Sequence, residues 1–64
     1  MDCYVLMYSQ SQDCFHIEKA STMLDKNLSI FLKGRSVDYL PLAFGYTVEE
    51  LHEIKRTLIK QRDG

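Results

Sequence analysis

A thiol and an imidazole two residues apart are the side chains of this chain best suited to chemistry. Cys14 and His16 flank Phe15, and residues two apart in a β-strand lie on the same face. A thiolate beside an imidazole base is the pair that thiol enzymes use, and both groups are also ligands of zinc. Either function needs further groups at suitable positions.

The spacing of the remaining candidates favours neither function. Cys3 and His52 would complete a set of four zinc ligands, but the chain has no Cys-x-x-Cys and no His-x-x-x-His pair, as closed zinc sites normally do. No oxyanion site is indicated beside either thiol, and a chain this short cannot enclose a deep pocket alone. We therefore expect no catalytic residue, no metal site and no cofactor, with both thiols reduced rather than joined in a disulfide.

Two further signatures of an enzyme are also weak. Glu49, Glu50 and Glu53 lie together, but at the start of a helix carboxylates usually complement the helix dipole. The glycines stand singly at the ends of predicted elements, so no glycine-rich phosphate loop is present. The sequence thus indicates a protein that is not an enzyme.

Composition sets limits on what the chain can be. It has 64 residues, 45% of them hydrophobic and 27% charged, which predicts one small globular domain over residues 1–64. Such a domain buries only about 60% of the surface of its unfolded chain, so its stability is marginal without a partner or another support. The net charge of -1 disfavours a dedicated nucleic-acid-binding protein.

The N-terminal quarter predicts a β-hairpin. The continuous apolar run Cys3–Tyr8 has the length of a strand, Ser9–Asp13 is a polar turn cluster, and Cys14–Ile17 alternates in polarity. Tyr4, Leu6 and Tyr8 would share one face of the first strand. The polar turn could serve as a recognition loop.

A helix is predicted over residues 22–33. Ser21 or Thr22 can cap its start, and Gly34 can end it in the left-handed conformation. Four apolar residues at helical spacing indicate its buried side, namely Leu24, Leu28, Phe31 and Leu32. Met23 and Ile30 would widen that side or leave a second apolar patch.

The C-terminal half predicts a strand and a second helix. Pro41 lacks an N–H, so the strand Tyr39–Phe44 should lie at a sheet edge. Thr47 and Glu50 form a capping box, which predicts a helix from about Val48 to about Gln61. Its buried stripe would comprise Val48, Leu51, Ile54, Leu58 and Ile59.

These elements define an α+β fold of order β-β-α-β-α. We expect a small three-stranded sheet with two helices on one face. The third strand either follows a right-handed crossover to lie parallel to the second, or lies beside the first.

An uncovered second face would expose part of the apolar first strand, unless the N-terminal helix or the termini fold over it, and exposed apolar patches usually mark an interface. We therefore expect a small non-enzymatic protein-binding module, such as an adaptor, inhibitor or mobile-element accessory protein, that forms a homodimer and binds a protein partner. The candidate interface residues are Tyr4, Leu6, Tyr8, Phe15, Tyr39 and Pro41.

The alternative is a small nucleic-acid-binding regulator. Aromatic side chains of the sheet could stack on bases, and cations at the C-terminal halves of the helices could contact phosphates. The candidate cations are Lys33, Arg35, Lys55, Arg56 and Lys60. Because the sequence shows no signal peptide and no apolar run near 18 residues, we expect a cytoplasmic protein without a membrane partner.

Overall fold

A computed structural model describes residues 2–63, so residues 1 and 64 of the predicted domain lie outside the described part. The predicted α+β class and the order β-β-α-β-α are confirmed. The elements are β1 (Tyr4–Ser9), β2 (Cys14–Lys19), α1 (Ala20–Leu32), β3 (Tyr39–Gly45) and α2 (Val48–Asp63).

The sheet has the strand order β2-β1-β3, and both pairs of strands are antiparallel. Leu6 lies opposite Ile17 on one side and opposite Ala43 on the other. Of the two predicted strand orders, the one with the third strand beside the first is therefore confirmed. The parallel pair does not form, because α1 leads the chain back along the sheet and β3 joins the free edge of β1.

An irregularity in register interrupts the pairing of β1 with β3. Leu6 is opposite Ala43 while Met7 is opposite Pro41, so β3 carries one extra residue, as in a β-bulge. β3 is an edge strand, which confirms the position predicted from Pro41.

The two helices lie on opposite faces of the sheet, which corrects the expectation that they share one face. Met23 of α1 packs with Val5 and Met7. Leu51 of α2 lies on the other face, next to Gly45. A Cβ added to Gly45 would be 3.3 Å from the Cδ2 atom of Leu51. Each helix therefore covers a different set of β1 side chains.

The position of β1 explains this arrangement. It is the central strand, and Val5, Leu6 and Met7 are at most 1% exposed although they alternate between faces. A continuous apolar run is typical of a strand that is buried on both faces, and one helix cannot cover both. The predicted open sheet face is consequently absent from the described residues.

The second helix begins as its sequence predicts. The backbone N–H of Glu50 donates to Oγ1 of Thr47 at 3.2 Å, and the Thr47 hydroxyl lies 3.4 Å from the Glu50 carboxylate. The capping interaction at Thr47 is therefore confirmed.

The first helix ends as predicted but begins differently. Gly34 has φ +74°, and its N–H donates to the Phe31 carbonyl while the Arg35 N–H donates to that of Ile30, as in the Schellman motif. At the other end α1 follows β2 directly and has no side-chain cap. The predicted cap at Ser21 or Thr22 is wrong because the helix starts earlier, at Ala20.

Candidate protein interface

The first helix exposes a row of large apolar side chains. Leu24, Leu28, Phe31 and Leu32, which we call the α1 stripe, are 57–73% exposed. The sequence predicted this row as the buried side of the helix, and that prediction is wrong. Such a row on a folded domain is typical of a surface that binds another protein.

The rotation of α1 about its axis leaves the stripe uncovered. Met23 and Ile30 lie on the side of the helix toward the sheet, and Lys26 contacts Glu18 of β2 at 2.9 Å on one flank. At 3.6 residues per turn, Phe31 and Leu24 lie roughly 90–110° from that side, on the flank away from Lys26. The stripe is therefore directed away from β2 and toward solvent.

Further apolar surface lies on the neighbouring edge strand. Phe44 pairs with Val5, hence shares the face that α1 covers, and it is 60% exposed. Among residues 2–63 the outer edge of β3 has no strand partner. Phe44 thus lies on the same side of the molecule as the α1 stripe.

The molecule exposes more surface than its mass requires. Its accessible area is 4851 Å², whereas a folded monomer of its mass exposes about 4,250 Å². Its radius of gyration is 12.5 Å, against about 10.7 Å for a compact chain of this length. The excess of about 600 Å² is consistent with the incomplete cover of α1.

The interface residues predicted from sequence occupy other positions. Leu6 is buried, whereas Tyr4, Tyr8 and Phe15 are half-buried on the face that carries α2. Tyr39 packs against the core on the opposite face, and Pro41 is exposed on the edge strand. The structure therefore gathers four of the six under α2 and separates the other two from them.

Three side chains tie the tip of the hairpin to the end of α2. The Tyr8 hydroxyl donates to Asp13, and the Arg62 guanidinium lies 2.8 Å from the same carboxylate and 5.3 Å from the Tyr8 ring centroid. The hydrogen bond from Tyr8 and then the one from Arg62 lower the pKa of Asp13, and Asp13 in turn raises that of Tyr8. The arrangement is exposed and open, so we assign it a structural role.

A second polar cluster ties the same tip to the start of β3. The Asp38 carboxylate accepts from the hydroxyls of Ser9 and Ser11 at 2.5 and 2.8 Å and from the Ser11 N–H at 3.1 Å. These bonds, that from Ser9 first, lower the pKa of Asp38. Several side chains of the turn proposed as a recognition loop are thus engaged within the molecule.

The candidate cations for nucleic acid do not form one strip. Lys33 and Arg35 follow α1 on one face of the sheet, whereas Lys55, Arg56 and Lys60 belong to α2 on the other. Arg56 also pairs with Glu53 on its own helix. These five cations therefore do not provide the single basic surface on which the prediction of nucleic-acid binding is based.

Cys14 and His16 each contact another side chain. Cys14 and His16 share a face, as predicted, since they pair with Ser9 and Met7. His16 Nε2, however, lies 3.5 Å from the carboxylate of Glu18, and Cys14 Sγ lies 3.6 Å from the Gln12 side-chain oxygen. Both cysteines are free, and residues 2–63 contain no group of three or more side chains placed to hold a metal.

No family model matches this chain, and neither a curated protein nor a solved structure matches it. Within the described residues, neither helix has both the length and the apolar character needed to cross a membrane.

The α1 stripe is the feature that sequence reasoning misplaced. One signal was available, because α1 carries a second apolar pair, Met23 and Ile30, on a different side from the stripe. A helix with two apolar sides can bury one and present the other. The signal does not say which side the sheet takes.

Proposed function

We propose that this protein is a small non-enzymatic protein-binding module that acts as a homodimer, with α1 of each copy packed against α1 of the other. The observation that carries the proposal is the α1 stripe, four large apolar side chains 57–73% exposed on one helix. The four side chains of the stripe are uncharged, and the exposed Asp25 lies beside them, seven residues before Leu32 on the same side of the helix.

The amount of exposed surface supports a second copy as the occupant. Standard protein interfaces bury about 800 Å² on each partner. The chain exposes about 600 Å² beyond the expectation for its mass, and Phe44 adds apolar area on the same side. An excess of this size for the whole molecule is close to the area that one copy buries in a small symmetric dimer.

The small core gives a second reason. Among residues 2–63 the buried apolar side chains of the core are Val5, Leu6, Met7, Met23 and Leu51. Burying a leucine or phenylalanine contributes about 1.5–3 kcal/mol, so covering a stripe that is two-thirds exposed adds several kcal/mol per copy. A dimer would thereby supply the support that a chain of 64 residues usually requires.

Light scattering over a range of concentrations tests the proposal on three proteins. They are the wild type, Leu28→Glu in the stripe, and the control Ser29→Glu, which adds the same charge at an exposed residue of α1 outside the stripe. We expect a dimer for the wild type and for Ser29→Glu, and a folded monomer for Leu28→Glu, with folding checked by circular dichroism.

Two results would contradict the proposal. If the wild type stays monomeric at every concentration, the proposed homodimer is wrong. A Leu28→Glu protein that dimerises as tightly as the control removes α1 as the contact surface, because a buried unpaired charge is costly.

A further inference from the structure

A second surface lies on the face of the sheet opposite the α1 stripe. It is a half-open cleft of about 310 Å³ between the strands and the first part of α2. This volume is at the lower end of the range for ligand sites, which is enough for one or two side chains of a partner. Its lining includes Tyr4, Phe15, Ile17, Val48, His52 and Lys55.

The cleft combines an apolar floor with a rim of N–H donors that includes the cation Lys55. Tyr4, Phe15 and Ile17 are half-buried and form the floor. His52 and Lys55 are one helical turn apart on α2 and supply N–H donors, and no carboxylate of residues 2–63 lines the cleft. Among residues 2–63 neither of them forms an ion pair, since the ion pairs of these residues involve other cations or His16.

At the C-terminal end of α2 a cation in an equivalent position has a carboxylate as its partner. Arg62 lies seven residues after Lys55, on the same side of the helix, and it meets the ring of Tyr8 and the carboxylate of Asp13. Tyr4 lies on the same face of β1 as Tyr8 and lines the cleft with Lys55. A tyrosine ring and a cation thus occur together twice along α2, as Tyr8 with Arg62 and as Tyr4 with Lys55. Among the described residues only the pair of Tyr8 and Arg62 also has a carboxylate, that of Asp13.

We propose that this cleft binds an acidic-apolar peptide segment of a partner protein. A carboxylate of the segment would pair with Lys55, and a neighbouring large apolar side chain would lie on Tyr4, Phe15 and Ile17. The inference rests on the protein-binding function proposed above but uses no residue of α1. Because the cleft and the stripe lie on opposite faces, a dimer formed through α1 leaves two clefts accessible and can bind two segments at once.

The test is a titration followed by amide NMR shifts of the ¹⁵N-labelled full chain. The probe is the peptide acetyl-Leu-Glu-Phe-Glu-amide, and its uncharged counterpart is acetyl-Leu-Gln-Phe-Gln-amide. The variant is Lys55→Gln, and the matched control is Lys60→Gln, which removes an exposed charge from the same helix outside the cleft. Inorganic phosphate is titrated separately.

We expect the acidic peptide to shift the amides that line the cleft, with affinity roughly two- to fivefold above that of the uncharged peptide, as one accessible ion pair contributes. Lys55→Gln should abolish that difference, and Lys60→Gln should preserve it. Equal binding of the two peptides, shifts located elsewhere, or phosphate binding as tight as the acidic peptide would overturn the inference.

The outcome is separable from that of the dimer. If Leu28→Glu is monomeric and still binds the acidic peptide in the cleft, the inference holds without the dimer. If the wild type dimerises but no peptide shifts the cleft, the inference is overturned and the dimer stands.

Discussion

Truncating one leucine in the core and one in the α1 stripe should have different effects on stability. Leu51 is 0% exposed and Leu28 is 57% exposed within one copy. Leu51→Ala removes buried atoms and leaves a cavity, which costs about 2–5 kcal/mol. A domain of this length has a free energy of unfolding of only roughly 3–10 kcal/mol, so this variant should be near the limit of folding.

The expected effect of Leu28→Ala depends on protein concentration. In a monomer less than half of the Leu28 side chain is buried, and that part contributes at most about 1 kcal/mol to the free energy of unfolding. In a dimer both copies also lose the contact across the interface. We expect the dimer to weaken by roughly 2–3 kcal/mol, which is about a 30- to 150-fold increase in its dissociation constant.

Urea unfolding at two protein concentrations a hundredfold apart measures both effects. For the wild type the midpoint should rise with concentration, as linkage between folding and dimerisation requires. Leu28→Ala should lower the midpoint much more at the high concentration than at the low one, while Leu51→Ala should lower it at both. A Leu28→Ala protein that loses about 2–5 kcal/mol even when dilute would refute the reasoning, because that loss is the signature of a side chain buried within one copy.

Two further predictions concern the supports of the fold. Gly34→Ala should lower the free energy of unfolding by about 1–2 kcal/mol. Gly34 has φ +74°, and a Cβ added there meets no atom within 4 Å, so the cost comes from the backbone conformation alone. Gly34→Asn is the control and should recover part of the loss in the same urea titration. The hydrogen bonds from Ser9 and Ser11 lower the pKa of Asp38 below its ordinary value of 3.8. The stability that this carboxylate contributes should therefore be complete at neutral pH and begin to fall near pH 3.8. It should be lost as the pH drops through the lower pKa of the folded state. Thermal unfolding of Asp38→Asn should lack this part of the acid dependence, and an acid profile identical to that of the wild type would show that the cluster does not contribute.

Much of the fold could be predicted because local patterns act over a few residues. Thr47 and Glu50 fix the start of α2, and Gly34 fixes the end of α1, through contacts within one helical turn. The apolar run of β1 likewise predicts a strand. The elements and their order follow from such signals.

The arrangement of these elements depends on contacts that the local patterns do not encode. The apolar run of β1 is compatible with an exposed face and with burial on both faces, and only the neighbours β2, β3 and both helices decide between them. The rotation of α1 is decided in the same way, by the fit of Met23 on Val5 and Met7. The cleft joins Tyr4, Phe15 and Lys55 from three elements, and their proximity follows from the strand order rather than from spacing in the sequence.

The central position of β1 has a consequence for the nascent chain. β1 pairs with β2 across a short turn, but its other edge stays bare until β3, residues Tyr39–Gly45, has left the ribosome. A lone two-stranded hairpin is marginal in water, and an unpaired apolar strand edge invites aggregation or capture by chaperones. We therefore expect docking of β3 to complete the sheet, and a chain that stops before Gly45 to keep this edge unpaired and prone to aggregation.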